Sequence, residues 1–146
     1  MEEKTCALVD ELFGLVPIFR KKFLKPLENS SSLNLTPTQL QALFIIYYGP
    51  EMSMSEISEE LQVSKQQLTK IINCLEESNC VIRYQDEKSR RNVRVKITDL
   101  GKKTCEDVKK TLVELEMKLF QSLDDDECLN LTSSIHTIRD LLESEK

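Results

Sequence analysis

Polar and apolar side chains alternate between Ser64 and Asn73 at a spacing typical of an amphipathic helix. Glutamine and asparagine can pair bidentately with adenine, lysine can reach guanine or a phosphate, and serine and threonine suit phosphate oxygens. The candidate nucleic-acid-binding residues on this face are Ser64, Lys65, Gln66, Gln67, Thr69, Lys70 and Asn73. The residues expected to face inward are Leu68, Ile71, Ile72 and Leu75.

A second group of basic side chains lies in residues 86–92. Residues 93–97 alternate between apolar and basic side chains, as a strand does, and residues 81–85 can supply an opposing strand. We therefore expect a two-stranded hairpin with a charged tip. Arginine side chains can enter a narrow, electronegative minor groove. The tip residues expected to bind DNA are Lys88, Arg90 and Arg91.

Three capping boxes indicate where the helices that position these residues begin: Thr36 to Gln39, Ser53 to Glu56 and Ser64 to Gln67. Gly49 and Pro50 end the first of these helices, and Gln62 and Val63 turn the chain between the other two. Helix, turn, helix and basic hairpin, in that order, are the parts of a winged helix-turn-helix. That arrangement places its second helix in the major groove of DNA.

Amphipathic segments flank this region. The first, up to about Leu27, is predicted to be a helix that Pro17 kinks or shortens and Pro26 ends, before a polar loop over residues 28–34. Thr98 can cap the helix that follows the hairpin, and Asp124 with Glu127 can cap the last helix. The apolar stripes of these two helices are Cys105, Val108, Leu112, Leu115 and Leu119, then Cys128, Leu131, Ile135, Ile138 and Leu142. This surface exceeds what one small core needs, which predicts that part of it packs against another chain.

The predicted fold class is mainly α with a small β-hairpin wing: a winged helix-turn-helix flanked by N- and C-terminal dimerisation helices. The 146 residues suffice for one compact domain. We assign residues 1–34 to the N-terminal dimerisation helix and loop, 35–101 to the winged helix-turn-helix DNA-binding region and 102–146 to the C-terminal dimerisation helices.

The charge distribution favours a nucleic-acid partner although the formal net charge is −5. From Leu61 to Thr98, eight basic residues stand against four acidic ones, so the acidity lies in the two ends of the chain. The longest stretch without charged residues, 29–50, is too polar to cross a membrane, and the acidic N-terminus does not have the order of a signal peptide. We therefore expect a cytoplasmic protein without a membrane partner.

The sequence does not favour an enzyme. It has one histidine, His136, which is expected to be exposed on a helix, and it has no phosphate-binding glycine loop, nucleophile elbow or metal-ligand cluster. We expect no catalytic residue, cofactor or metal. The five cysteines include no Cys-x-x-Cys pair and are expected to be mostly reduced.

The chain resembles the multiple antibiotic resistance regulator (MarR) family of winged-helix regulators over about residues 35–101. The residues that carry the resemblance are Leu35 to Gln39, Ile57 to Ser64, Leu75 and Glu76, Asp86 to Arg91, and Ile97 to Gly101. The resemblance implies a triangular dimer that binds a palindromic double-stranded operator through two recognition helices and two wings. It also implies control by a small effector or by thiol oxidation.

The sequence departs from the family pattern at two positions. Asn79 stands where relatives usually have glycine, and asparagine tolerates the left-handed conformation that this turn requires. Ser89 stands where the family wing usually carries an aspartate, two residues before the DNA-contacting arginine, here Arg91. Arg91 is therefore expected to lack that carboxylate partner.

Two other interpretations stay open. The chain could be a winged-helix protein-interaction module without specific DNA binding, which its net acidity favours. Within the regulator interpretation it could be a thiol sensor, with Cys6 placed broadly where some peroxide-sensing relatives carry a reactive cysteine and Cys74 and Cys80 as further thiols. No carboxylate clamp is recognisable, so we assign no effector site.

Overall fold

The computed structural model describes residues 2–28, 34–89 and 91–144. The helices and strands follow one another as α1 (Glu2–Phe19), a π-helical turn (Arg20–Leu24), α2 (Lys25–Glu28), α3 (Pro37–Tyr48), β1 (Met52–Ser53), α4 (Met54–Leu61), α5 (Lys65–Glu77), β2 (Val81–Gln85), β3 (Val93–Ile97), α6 (Asp99–Leu115), α7 (Met117–Gln121) and α8 (Asp125–Glu143). The chain divides into two compact units, Met1–Leu112 and Val113–Lys146. The predicted class, mainly helical with a small wing, is confirmed.

The three predicted capping boxes are present and start α3, α4 and α5. In each, the serine or threonine side chain accepts a backbone N–H three residues on, and the glutamine or glutamate there accepts the N–H of the cap. These starts align the apolar faces of the three helices around one core. The core side chains that are almost completely buried include Leu43, Ile57, Leu68, Ile72, Leu75, Val81, Val95, Cys105 and Val108.

The sheet has three strands, where the sequence predicted two. β1 pairs with β3 through Met52 opposite Val95, so the strand order is β1-β3-β2 and all pairs are antiparallel. A strand of two residues has no alternation of apolar and polar side chains that a sequence pattern could reveal. β1 is continuous with α4, so the sheet is tied directly to the first helix of the helix-turn-helix.

The wing joins α6 at a tightly packed corner. Asn79 has a φ of 57°, the left-handed conformation expected for it. The Thr98 hydroxyl donates to the Asn79 carbonyl oxygen at 2.6 Å and accepts the Gly101 N–H at 3.0 Å, so Thr98 caps α6 as predicted. A Cβ atom on Gly101 would lie 2.1 Å from the carbonyl oxygen of Cys80. Only glycine therefore fits between α6 and the start of β2.

The first helical segment is described as far as Glu28, close to the predicted end at about Leu27. Pro17 lies inside α1 without ending it, and a π-helical turn begins three residues later, at Arg20. Pro26 lies within α2, which is described as far as Glu28. The expected loop at 29–33 lies outside the described residues.

Several apolar side chains on α1 are exposed. Phe13 is 74% exposed and Val16 61% exposed. The other large apolar side chains exposed on this helix are Leu8, Val9, Leu15, Ile18 and Phe19.

The second unit consists mainly of α8, which Asp124 and Glu127 cap as predicted. The apolar stripe expected to continue to Leu119 is interrupted, because α6 ends at Leu115 and α7 begins at Met117. None of the described α8 side chains is buried, and Ile135 is 63% exposed. His136 is exposed, as expected.

Candidate nucleic-acid interface

All seven candidate residues of the 64–73 segment are exposed on one side of α5 and its cap. The opposite side buries Leu68, Ile72 and Leu75, while Ile71 is half-buried. Because the helix is anchored along its whole length by this buried stripe, its polar face has a fixed orientation. The face comprises Ser64, Lys65, Gln66, Gln67, Thr69, Lys70 and Asn73.

The capping box gives the two neighbouring glutamines different chemistry. Gln67 Oε1 accepts the N–H of Ser64 at 3.0 Å, which uses one of the two lone pairs of this oxygen and ties the amide to the helix start. Gln66 makes no side-chain hydrogen bond within the described part of the chain, so both its donors and its acceptor are available. Bidentate pairing with adenine needs one donor and one acceptor on the same amide. Gln66 meets this requirement without disturbing the helix start, whereas Gln67 does not.

The two hydroxyl groups on this face are also not equivalent. The Ser64 oxygen accepts the Gln67 N–H at 3.2 Å and keeps its own proton free for a phosphate oxygen. The Thr69 hydroxyl instead donates to the Lys65 carbonyl oxygen at 2.8 Å. Thr69 must give up that bond before it can donate to a phosphate.

At the wing tip, Lys88 and Arg91 are exposed, while Arg90 lies outside the described residues. The tip is a turn in which the Asp86 N–H donates to the Asn92 carbonyl at 3.0 Å, and Asp86 Oδ1 accepts the Lys88 N–H at 3.0 Å. The backbone of Ser89 belongs to the same turn, through bonds with Asp86 and Asn92. The backbone therefore organises this turn without an aspartate at position 89.

Two arginines of the central region are engaged inside the protein. Arg83 pairs with Glu76, and Arg94 Nε lies 2.9 Å from Asp86 Oδ2. The bond from Arg94 and that from the Lys88 N–H hold the pKa of the Asp86 carboxyl below its ordinary value. A count of charges in the sequence includes both arginines as basic residues and does not reveal their carboxylate partners. The described cations that stay exposed in this region are Lys65, Lys70, Lys88, Arg91 and Lys96.

The sequence profile of the MarR family matches residues 35–93, which run from the start of α3 to the start of β3. Over this region, the chain is similar to members of the MarR family. The match lies within the segment, about 35–101, on which the resemblance was based. The family comprises regulators, in agreement with the expectation that the chain is not an enzyme.

Relatives of known name or structure extend the similarity beyond the matched segment. The transcriptional repressor MdtR of Bacillus subtilis (strain 168) is 29% identical over 99 residues, 68% of this chain and 64% of MdtR. A MarR transcriptional regulator from Methanosarcina mazei Go1 has 25% identity and a TM-score of 0.69, covering 95% of this chain and 98% of that one. The structure of Streptococcus pneumoniae FabT in complex with DNA has a TM-score of 0.61 at 19% identity and covers 100% of both chains, which indicates a shared fold.

The cysteines of the chain fall into two groups. Cys6, Cys74 and Cys128 are exposed, whereas Cys80 and Cys105 are buried, and all five are free thiols. Burial raises the pKa of the Cys105 thiol to about 11, which disfavours its reactive thiolate form. Cys6, the predicted redox residue, is accessible on α1, and its reactivity stays a prediction.

A cleft of about 260 Å³ lies between the end of α5 and one side of α6. Its three hydroxyl groups donate to backbone carbonyls: Ser78 to Cys74, Thr104 to Leu100 and Thr111 to Asp107. The lining therefore offers mainly hydrogen-bond acceptors, together with the Asp107 carboxylate and two leucines.

The described residues contain no group of three or more side chains suited to a metal and no helix long and apolar enough to cross a membrane.

Proposed function

We propose that this chain is a sequence-specific, double-stranded DNA-binding transcriptional regulator that acts as a repressor. The observation that carries the proposal is the unobstructed polar face of α5 beside a wing tip with exposed cations. α5 enters the major groove, where Gln66 and Asn73 read base edges, and Lys65, Lys70 and the Ser64 hydroxyl contact phosphates. The DNA complex of FabT, which has the same fold, supports this mode of binding, and the name of MdtR as a repressor favours repression.

The wing supplies the second contact. Lys88, Arg90 and Arg91 reach the neighbouring minor groove, where cations are attracted by the negative potential between the phosphates. Gln67 and Thr69 belong to the same interface. The Gln67 amide is tied to the helix start by the Ser64 N–H, and the Thr69 hydroxyl must first leave the Lys65 carbonyl oxygen. Arg83 and Arg94 are excluded from it because they are already paired with carboxylates.

The regulator acts as a homodimer on a palindromic operator. The apolar side chains exposed on α1 and α8 are more than a lone protomer can leave in water without cost, and a second copy of the chain would cover them. A two-fold symmetric protein presents two α5 helices, so its operator consists of two inverted half-sites one or more helical turns apart.

A small effector releases the operator. The cleft between α5 and α6 supports this part of the proposal, because its floor includes Ser78 at the end of α5 and Cys80 before β2. A bound molecule there would press on the two elements that carry the DNA contacts. The acceptor-rich lining favours a donor-bearing molecule over a carboxylate.

The test is a titration of the purified chain against a fluorescent duplex from the region upstream of its own gene, at two salt concentrations. Nanomolar binding that weakens steeply with salt is expected, because released counterions report phosphate contacts. The double variant Arg90→Ala/Arg91→Ala should weaken binding and flatten the salt dependence. The matched control, Lys103→Ala/Lys110→Ala, removes two exposed cations from α6 and should change neither. Micromolar, sequence-indifferent binding that the wing variant does not alter would favour the protein-interaction module instead.

A further inference from the structure

Arg83 connects the wing to the recognition helix through three hydrogen bonds. It lies on β2, one of the two edge strands of the sheet, opposite Val95 of β3. Its backbone N–H donates to Glu76 Oε1 at 2.9 Å, and one guanidinium nitrogen donates to Glu76 Oε2. A second guanidinium nitrogen donates to the Thr69 carbonyl oxygen at 3.2 Å. Both Glu76 and Thr69 belong to α5.

These contacts extend along the helix instead of meeting it at one point. Thr69 and Glu76 are seven residues apart, about two turns of α5. A planar guanidinium that binds at both positions, together with its own backbone N–H, restrains the rotation as well as the distance of the strand. The Arg83 side chain is only 24% exposed, and its charge is paired with that of Glu76. It is therefore poorly placed to neutralise a phosphate.

A second set of contacts holds the other side of the wing. Arg94 on β3 donates through Nη1 to the Glu51 carbonyl oxygen at 2.7 Å and through Nε to Asp86. Tyr84 on β2 donates its hydroxyl proton to the Glu51 carboxylate. The two bonds to Glu51 fix the sheet to the segment before α4, whereas the bond to Asp86 stays within the wing. None of the three reaches α5. Among the side-chain hydrogen bonds of the described β2 and β3 residues, those that involve Arg83 join the wing to α5.

We propose that Arg83 is a positioning residue for DNA recognition: it sets the wing at a fixed place relative to α5 and does not contact the duplex. The proposal rests on the DNA-binding function proposed above. A rigid duplex meets α5 and the wing at the same time only when their separation matches adjacent grooves. Restraining the wing beforehand reduces the conformational entropy that binding would otherwise cost.

The first measurement needs no DNA. The N–H of residue 83 points away from β3 to Glu76, so its hydrogen exchange, followed by NMR, reports whether this contact is closed. Arg83→Gln should accelerate exchange at residue 83 several-fold while the amides of α3 keep their protection. Lys103→Gln removes an exposed cation from α6 and serves as the matched charge control. Unchanged exchange in Arg83→Gln would overturn the proposal.

The second measurement is a double-mutant cycle on DNA affinity with Arg83→Gln and Arg91→Ala. Arg83→Gln alone should weaken binding by about tenfold. If Arg83 acts by placing the wing, this loss becomes smaller once Arg91→Ala has removed one of the wing contacts, so the two effects are less than additive. Additive losses would mean that Arg83 touches the duplex itself, and the proposal would fail. If the unmodified chain binds no duplex specifically, the regulator function fails, and residue 83 exchange still decides whether the wing is held to α5.

Discussion

Ser64 and Gln67 bind each other reciprocally at the start of α5: Gln67 Oε1 accepts the Ser64 N–H at 3.0 Å, and Ser64 Oγ accepts the Gln67 N–H at 3.2 Å. Gln67 thus stabilises the helix start, and Gln66 beside it keeps a complete amide for base recognition. The capping bonds therefore give the adjacent residues Gln66 and Gln67 different roles.

Gln66→Ala is expected to relax the base preference at one position in each operator half-site, by about 1–3 kcal/mol of discrimination. Gln67→Ala is expected to lower the free energy of unfolding by about 1 kcal/mol and to leave base preference unchanged. The measurement is binding to a set of operators with single base-pair substitutions, alongside urea unfolding of both variants. Relaxed base preference in Gln67→Ala, with none in Gln66→Ala, would contradict this division.

Gly101→Ala is expected to destabilise the fold by about 1–3 kcal/mol, because its Cβ would collide with backbone that cannot simply rotate away. That atom would lie 2.1 Å from the Cys80 carbonyl oxygen and 2.7 Å from Ile97 Cγ1. Gly14 is the matched control, since a Cβ there meets no atom within 4 Å and the residue is helical. Gly14→Ala should stabilise by about 0.5–1 kcal/mol. Equal unfolding midpoints for the two variants at one protein concentration would refute the close packing at Gly101.

The Cys105 thiol is expected to make stability depend on pH in the alkaline range. Burial raises its pKa from the ordinary value of 9.0 to about 11. Its contribution to the free energy of unfolding is therefore complete below 9.0 and is lost as the pH rises towards 11, because the unfolded chain releases the proton first. Cys105→Ala should flatten this decline in urea titrations, whereas Cys74→Ala, at an exposed thiol, should not. An identical alkaline decline in both variants would argue against a buried thiol at position 105.

Glu56 is expected to contribute to the loss of stability in acid. The backbone N–H of Ser53 donates to its carboxylate at 2.7 Å and lowers the carboxyl pKa below the ordinary value of 4.5. A lowered pKa stabilises the fold above 4.5, and this contribution is lost as the pH falls through the folded-state value. Glutamine can keep the capping bond without a titrating charge.

The measurement for Glu56 is the urea midpoint from about pH 7 to about pH 3, where the sign of the effect is unambiguous. Glu56→Gln should have a shallower acid decline than the unmodified chain. Glu59→Gln alters an exposed carboxylate on the same helix and is the matched control. A decline that stays as steep in Glu56→Gln as in the control would show that the capping carboxylate is not coupled to folding.

The helix starts were predictable because each capping box is local: Thr36, Ser53 and Ser64 each bind a residue three positions on. The same holds for the left-handed turn at Asn79 and the cap at Thr98. β1 was not predictable, because Met52 becomes a strand residue through Val95, 43 positions away.

The polar face of α5 could be derived from the sequence, whereas the state of each side chain on it could not. Composition does not distinguish Gln66 from Gln67, and it counts Arg83 and Arg94 as available cations. Their partners, Glu76 and Asp86, are seven and eight residues away and come into reach only when the strands fold back. Pairing of this kind depends on tertiary structure, so a charge count overestimates the cations free to bind phosphates.

The exposed stripe of α8 has a consequence for the amount of protein that a cell needs. A helix of 19 residues without any buried described side chain is marginally stable in water, so its helicity must come largely from a surface that covers it. In the proposed homodimer the second copy of the chain supplies that surface. Folding of the C-terminal segment is then a bimolecular equilibrium that depends on protein concentration. Gene dosage then sets the fraction of structured regulator before any operator or effector is encountered.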